Sequence, residues 1–318
     1  MPPREVEHAA GLTEVRRLLE RLQSLVDGPS AIEELAACGP RAVPLLREFL
    51  LSGRVTSVPQ PRMWAVEALA RLEARDVLIE YLQAPSRVTD PQLLFAEDAV
   101  RSTAGRRLSA WHDDETFEIL LDLCRKRSIP GAVESLAGFE RAEAIPCFDR
   151  ALEEDMCRPA AEDGLRRLGP KARSALLLSA VTPLPNADEE TPSSLCRRRS
   201  VLRLLTEIGV DCQHWGELRP LLAEQDPELL GRLAQIAASV EDPVDRASAA
   251  GSLVTALARL PWFVWKEAEE ALVALAPESV PPIDAEVSRR LSNPPVTRAG
   301  DEILRMLLRV QMKLRKSQ

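Results

Sequence analysis

Aromatic side chains are scarce in this 318-residue chain, at 4% of the total, with a single tyrosine. β-Branched and aromatic residues together are too sparse to supply many strands, so a sheet-built fold is excluded. Histidine occurs three times, as His8, His112 and His214, which leaves the commonest general base and metal ligand thinly spread. The six cysteines contain no CxxC pair, so neither a disulfide framework nor a zinc knuckle is expected. The 14 glycines spell no G-x-S-x-G, Walker A or dinucleotide-binding pattern. No apolar run approaches the roughly 18 to 20 residues that a membrane helix needs. The first residues lack the basic end and apolar stretch of a signal peptide, so a cytoplasmic location is expected. Positive charge is also in deficit. A net charge of −8 and a pI near 5.2 argue against a dedicated nucleic-acid binder.

What is abundant is leucine and alanine, both strong helix formers, within a chain that is 45% hydrophobic. The chain therefore reads as all-α. Its length exceeds that of one ordinary small domain, but a repeat array grows along one axis and escapes that prior.

The repeat is visible directly. A pattern A-[I/V]-E-x-L-A occurs at Ala31 to Ala36, Ala65 to Ala70 and Ala132 to Ala137. Weaker copies begin at Ala99 and at Ala161, the latter keeping Leu165. The starts at 31, 65, 99, 132 and 161 are separated by 34, 34, 33 and 29 residues. Near-constant spacing of a helical signature is what stacked two-helix units produce. Gly39-Pro40-Arg41-Ala42 recurs as Gly169-Pro170-Lys171-Ala172, and Ala42-Val43-Pro44 recurs as Ala144-Ile145-Pro146. Glycine ends the first helix of each unit and proline suits the first turn of the next. Each unit is helix A, a sharp turn, and helix B, with Leu35, Leu69, Leu136 and Leu165 expected in the core.

The run from Ala31 to Leu50, AIEELAACGPRAVPLLREFL, resembles a HEAT repeat of the short bacterial, phycobilisome-lyase HEAT-like kind. The resemblance covers about residues 29 to 181. The same step length fits tetratricopeptide repeats, but their Trp, Leu-Gly and Tyr signature is missing. The expected architecture is an α-solenoid, a HEAT-like superhelix of five to eight stacked antiparallel helix pairs.

Five segments follow. Residues 1–28 read as an N-terminal capping helix with the stripe Leu12, Val15, Leu19, Leu22 and Val26. Residues 29–181 hold the regular repeats, and 182–192 an acidic, proline-rich loop. Residues 193–297 read as degenerate pairs, with helices near 193–209, 213–223, 227–240, 243–260 and 262–276 and a break at Pro277 to Pro282. Residues 298–318 form a basic amphipathic helix. Its apolar face is Ile303, Met306, Leu307, Val310 and Leu314, and its basic face Arg305, Arg309, Lys313 and Lys316. That pattern suits docking on an acidic partner or a membrane, and equally a cap over the last repeat, which is the reading preferred.

Other candidate residues also fit plain structural roles. Trp111-His112-Asp113-Asp114-Glu115 offers metal-ligand types, yet Asp113 or Asp114 is better read as the cap of a helix over 115–126. Cys212 and His214 supply two ligands where zinc needs three or four. Trp262-Phe263-Val264-Trp265 concentrates aromatics, read as packing between helices in preference to an exposed anchor. Arg197, Arg198 and Arg199 follow Asp188-Glu189-Glu190 and are read as a solvated helix start paired with its own acidic loop.

The function this supports is a non-enzymatic scaffold or adaptor for a protein partner, with no cofactor and no metal. Its binding surface would be lined by B helices near 40–51, 76–83, 114–126, 141–152 and 170–181. Arg47, Glu48, Glu80, Asp122, Asp149 and Arg150 are expected to face outward there, their mixed signs suiting a polypeptide better than a phosphate backbone. The resemblance itself implies a second possibility, phycobilin-lyase-like handling of a chromophore. A third is a HEAT-like DNA alkyl-purine glycosylase, for which Trp64 and Trp111 are the candidate aromatics and against which the acidity speaks.

Overall fold

The computed structural model describes residues 3–186, 189–292 and 298–316. Among them the only strands are the two-residue pair β1 (Pro185–Asn186) and β2 (Glu189–Glu190). The other described elements are helices joined by turns and short loops. It forms two compact units, Met1–Gly164 and Leu165–Gln318.

The first unit contains α1 (Pro3–Arg21), α2 (Gly28–Ala37), α3 (Val43–Leu51), α4 (Gln60–Arg71), α5 (Arg75–Gln83), α6 (Pro91–Leu108), α7 (Asp114–Lys126), α8 (Pro130–Ala137) and α9 (Ile145–Ala151), with α10 (Arg158–Leu168) crossing its boundary. Helices α2, α4, α6 and α8 pack successively into an A layer, while α1, α3, α5, α7 and α9 form a B layer beside it. The second unit holds α11 (Arg173–Val181), α12 (Pro192–Ile208), α13 (Cys212–Leu218), α14 (Pro227–Ala238), α15 (Pro243–Ala256), α16 (Trp265–Ala274), α17 (Val280–Ser292) and α18 (Arg298–Lys316). Here α12, α14, α16 and α18 stack in one layer, and α11, α13, α15 and α17 in the other. Each unit is an α-solenoid.

Local chemistry explains the punctuation. Gly39 and Gly169 have φ of +68° and +55°, a conformation that only glycine adopts without strain. Each is followed by a 3₁₀ turn, Gly39–Ala42 or Gly169–Ala172, leading into the B helix. Three Asp-Pro dipeptides start helices: Asp90, Asp226 and Asp242 each accept a backbone N–H of the first turn while the following proline occupies a position whose donor is not needed. Leu35, Leu69, Leu136 and Leu165 are all fully buried. The closest approach in the first A layer is at Gly131, where a Cβ would lie 1.8 Å from the carbonyl oxygen of Ser102. There α6 and α8 touch backbone to backbone, joined by Gly131 N–H to Ser102 Oγ at 2.9 Å and Ser135 Oγ–H to the Gly105 carbonyl at 2.9 Å.

Three expectations change. The apolar stripe read through Val26 stops early, because α1 ends at Arg21 and leaves Val26 87% exposed. Pro277 to Pro282 do not simply break the chain: Pro281 and Pro282 sit in the first turn of α17, where proline is tolerated. Two arginines of the triplet, Arg197 and Arg198, are not solvated. Arg198 is 1% exposed and donates to Glu190 at 2.7 Å, Glu224 at 2.8 Å and the Ala180 carbonyl at 2.8 Å. Arg197, also buried, donates to the Thr182 carbonyl at 2.6 Å, and Arg199 to Asp226 at 2.5 Å. Arg198 does meet the acidic loop, through Glu190, but Arg197 and Arg198 act as the buried fastening of α12 onto the end of α11, while the part-exposed Arg199 ties α12 to the start of α14.

Candidate binding groove

Charged side chains do much of the joining between successive helices. In the first A layer Arg71 reaches Glu33, Arg107 reaches Glu67 at 2.5 Å, and Arg106 reaches Glu134 at 2.5 Å. In the B layer Arg47 pairs with Glu80 and Arg75 with Asp113 at 2.8 Å. The second unit repeats the device with Arg166–Glu207, Arg199–Asp226 and Arg246–Glu278. A related use of arginine is to close helix ends. Arg62 donates to the Leu50 carbonyl at 2.7 Å, and Arg101 to the carbonyls of Leu82 and Ala84 at 3.1 and 2.6 Å. Each guanidinium satisfies orphan carbonyls at the negative end of the preceding B helix.

Arg62, Glu97, Arg101 and Tyr81 also form one buried cluster. Glu97 accepts from Arg62 and, at 2.7 Å, from the Tyr81 hydroxyl; Arg101 lies 3.6 Å from the same carboxylate. Both guanidinium groups lie over the Tyr81 ring at about 5.5 Å. Burial pushes the tyrosine hydroxyl well above its ordinary pKa, opposed by the Arg62 charge. The cluster escapes sequence reading because charged residues within a helix normally signal a solvated face.

The B-helix residues expected to face outward divide by role. Arg47 and Glu80 satisfy each other across α3 and α5, which raises the Arg47 pKa and lowers that of Glu80, chiefly through their hydrogen bonds. Glu48 is exposed on α3. Asp122 is exposed and meets Lys126 one turn on, at 2.6 Å. Asp149 is half-buried on α9. Arg150 points back to α7, donating to the carbonyls of Cys124 and, at 2.9 Å, Arg125.

Of these six, Asp122 borders a pocket of about 340 Å³ between α5, α6 and α7. Leu82, Ile119, Leu123 and Ile129 make its apolar floor, while Asp98, Arg101, Lys126 and Arg127 add charges of both signs. Arg127 binds Asp98 Oδ2 at 2.5 Å, yet Asp98 Oδ1 is buried and has no hydrogen-bond partner. Burial pushes the Asp98 carboxyl above its ordinary pKa, against the pull of Arg127 and Arg101. An acceptor of this kind costs free energy until a donor reaches it.

The remaining candidates resolve as follows. Asp113 caps α7, accepting the Thr116 N–H at 2.8 Å, and that bond holds its carboxyl below the usual range. His112 stacks on Phe139 with centroids 4.1 Å apart. The side chains of His8 and Cys212 lie outside the described residues; His214 Nδ1 is 3.8 Å from Asp211. Among the described residues no group of three or more His, Cys, Asp or Glu is placed to hold a metal ion. No described helix is long and apolar enough to cross a membrane. Trp64 lies against Gly28, and Trp111 borders a shallow pocket with Arg71, Arg106 and Arg107. The aromatic run departs from the expected helix packing. Trp262 is 75% and Phe263 47% exposed, with their rings edge to face, because they sit in a 3₁₀ turn before α16. Only Val264 is buried, and Trp265 donates to the Leu260 carbonyl at 3.0 Å.

No family model matches the chain, and no curated protein is significantly similar to it. Among solved structures it is similar to a designed armadillo repeat protein, YIII(Dq.V1)4CPAF, in complex with the peptide (KR)4. The identity is 12%, over 93% of this chain and 99% of that one, with a TM-score of 0.22. A score so low carries no argument; the solenoid assignment rests on the stacked helix pairs themselves.

Proposed function

We propose that the protein is a HEAT-like binding scaffold that grips an extended polypeptide segment in the pocket between α5 and α7. The observation that carries this reading is the combination of an apolar floor with the unpartnered Asp98 Oδ1. An apolar partner side chain would occupy the floor, and a backbone N–H or a basic group would donate to the carboxylate. Binding sites of this kind are apolar with a few placed polar groups that fix orientation. The rim charges Asp122, Lys126, Arg127 and Asp98 would set register and association rate more than affinity. The B layer is where a solenoid of helix pairs commonly offers such a surface.

The test uses the intact chain as bait beside an Ile119→Arg variant, whose long side chain fills the pocket from a half-buried position. Proteins held by the parent chain should be lost by the variant, with affinity for a purified partner falling about thirtyfold or more, the scale of an interface hot spot. Circular dichroism of the variant should be unchanged. Asp98→Asn should weaken a basic partner while leaving the fold intact. Retention of every partner by Ile119→Arg would remove the pocket from consideration.

A further inference from the structure

Helix α18 packs its apolar arc, Ile303, Met306, Leu307, Val310 and Leu314, onto α16 and α17, and all five are buried. Arg309 and Lys313 secure one flank by donating to Glu269 at 3.2 and 2.8 Å, and Gln311 the other by donating to Asp284 at 2.6 Å. The helix therefore continues the stack of α12, α14 and α16.

Its opposite side has a second stripe. Leu304, Leu308 and Met312 recur at i, i+4 and i+8 and so share one face. Leu304 is half-buried, Leu308 38% exposed and Met312 58% exposed. Arg305, Arg315 and Lys316 flank this stripe, all exposed, and none meets a carboxylate among the described residues. No Asp or Glu occurs between Leu304 and Lys316. No element of the described chain covers this face.

The internal junctions show what it is complementary to. Successive A-layer helices meet through apolar stripes flanked by arginine on one helix and a carboxylate on the other: Arg71 with Glu33, Arg107 with Glu67, Arg106 with Glu134, Arg199 with Asp226, and Arg309 with Glu269. From Leu304 onward the outer face of α18 presents the apolar stripe and the cationic half of such a junction. We propose that it docks an acidic amphipathic helix of a partner protein, stacked on α18 as α18 is stacked on α16. A helix with leucines at i, i+4 and i+8 and glutamates beside them satisfies both the stripe and the cations Arg305, Arg315 and Lys316. The site is independent of the α5–α7 pocket, and either can fail alone.

The probe is a fluorescent synthetic helix of that design, titrated into the full chain and followed by anisotropy. Its counterpart with every glutamate replaced by lysine serves as control, as do vesicles of mixed neutral and anionic lipid. The acidic helix should bind saturably, and the Leu308→Glu/Met312→Glu variant should bind it at least about tenfold more weakly. Arg305→Glu/Arg315→Glu, which leaves the stripe intact, should weaken it chiefly by slowing association. Both variants alter exposed positions and should keep the parent melting curve, and Ile119→Arg should bind the probe as the parent does. Equal binding by Leu308→Glu/Met312→Glu would overturn the proposal, as would equal binding of the lysine helix. So would indifference to the acidic helix in a chain that sediments with anionic vesicles or dimerises through this face.

Discussion

Replacing Glu97 by alanine removes the single carboxylate around which Arg62, Arg101 and Tyr81 are arranged. The two arginine side chains are only 8% and 10% exposed, so neither can recover hydration without opening the stack. Breaking a buried ion pair by deleting one partner costs about 3 to 5 kcal/mol, because the surviving charge is left uncompensated. The Tyr81 hydroxyl also loses its 2.7 Å acceptor. That loss is worth about 1 to 3 kcal/mol alone, but it overlaps with the first because all four groups share one network. The anchoring of Arg62 on Leu50 and of Arg101 on Leu82 and Ala84 survives and limits the damage. The expected total is therefore about 3 to 5 kcal/mol. Tyr81→Phe removes only the hydroxyl and should cost about 1 to 2 kcal/mol, with the pair non-additive in a double-mutant cycle. Solenoids need not unfold in one step, so urea titration by circular dichroism is best paired with amide exchange in α4, α5 and α6. A Glu97→Ala cost below about 1 kcal/mol, or simple additivity with Tyr81→Phe, would refute the account of this cluster.

Leu69→Ala, at a fully buried position in α4, should cost about 2 to 5 kcal/mol and deprotect amides of α2 and α6 more than those of α18. Uniform exchange along the chain would contradict that. Gly39→Ala should destabilise by about 1 to 2 kcal/mol purely through its positive φ, since a Cβ there meets open space. Gly251→Ala, equally open but inside α15, should stabilise by about 0.5 to 1 kcal/mol, and thermal melts read both signs. Arg150→Glu should cost about 1 to 3 kcal/mol because it strips the carbonyl end of α7 and places an acid there, whereas Arg47→Glu, at an exposed pair, should cost clearly less. Equal costs for the two would deny the distinction. Burial pushes the Asp226 carboxyl up, but Arg199 and the Leu229 amide outweigh it and hold the pKa below the usual range. Its contribution is complete above the unfolded carboxylate value near pH 4 and disappears as pH falls through the lower folded value. Asp226→Asn should therefore flatten the acid limb of a melting-temperature profile and leave its slope near neutrality unchanged.

The fold was largely legible because its determinants are periodic. Alanine and leucine at fixed offsets, and Gly-Pro between them, encode helix, stop and restart without reference to distant residues. Leu35, Leu69, Leu136 and Leu165 follow from that phase alone. Where periodicity stops carrying information, the reading fails for identifiable reasons. Val26 continues the heptad-like stripe arithmetically, but Arg21 has already ended the helix. Pro281 and Pro282 resemble a breaker because the same residue ends one helix and begins another. The roles of Arg62, Arg101, Arg150 and Arg198 depend on which carbonyl ends lie nearby in space, and no local pattern records that. Asp122 is legible as an outward residue of the B layer, yet its neighbour across the pocket, Asp98, lies on an A helix and carries no local mark of its unpaired oxygen. Trp262 and Phe263 read as packing between helices in sequence, whereas a short 3₁₀ turn holds them outside it.

The charged clasps of the first unit have a polarity that bears on how such an array tolerates rearrangement. Helix α4 offers glutamate, Glu67, toward α6, while α8 offers glutamate, Glu134, toward the same helix from the other side. Helix α6 answers both with adjacent arginines, Arg107 and Arg106. It is a two-sided cationic adaptor between two acidic neighbours. Excising the α6–α7 pair would press Glu67 toward Glu134 and set like charge against like. Duplicating that pair would do the same with arginines. The apolar seams alone would accept either edit, since leucine and alanine recur throughout. At α6 the pattern of sign therefore disfavours either edit, while the cohesion of the stack comes from the apolar core.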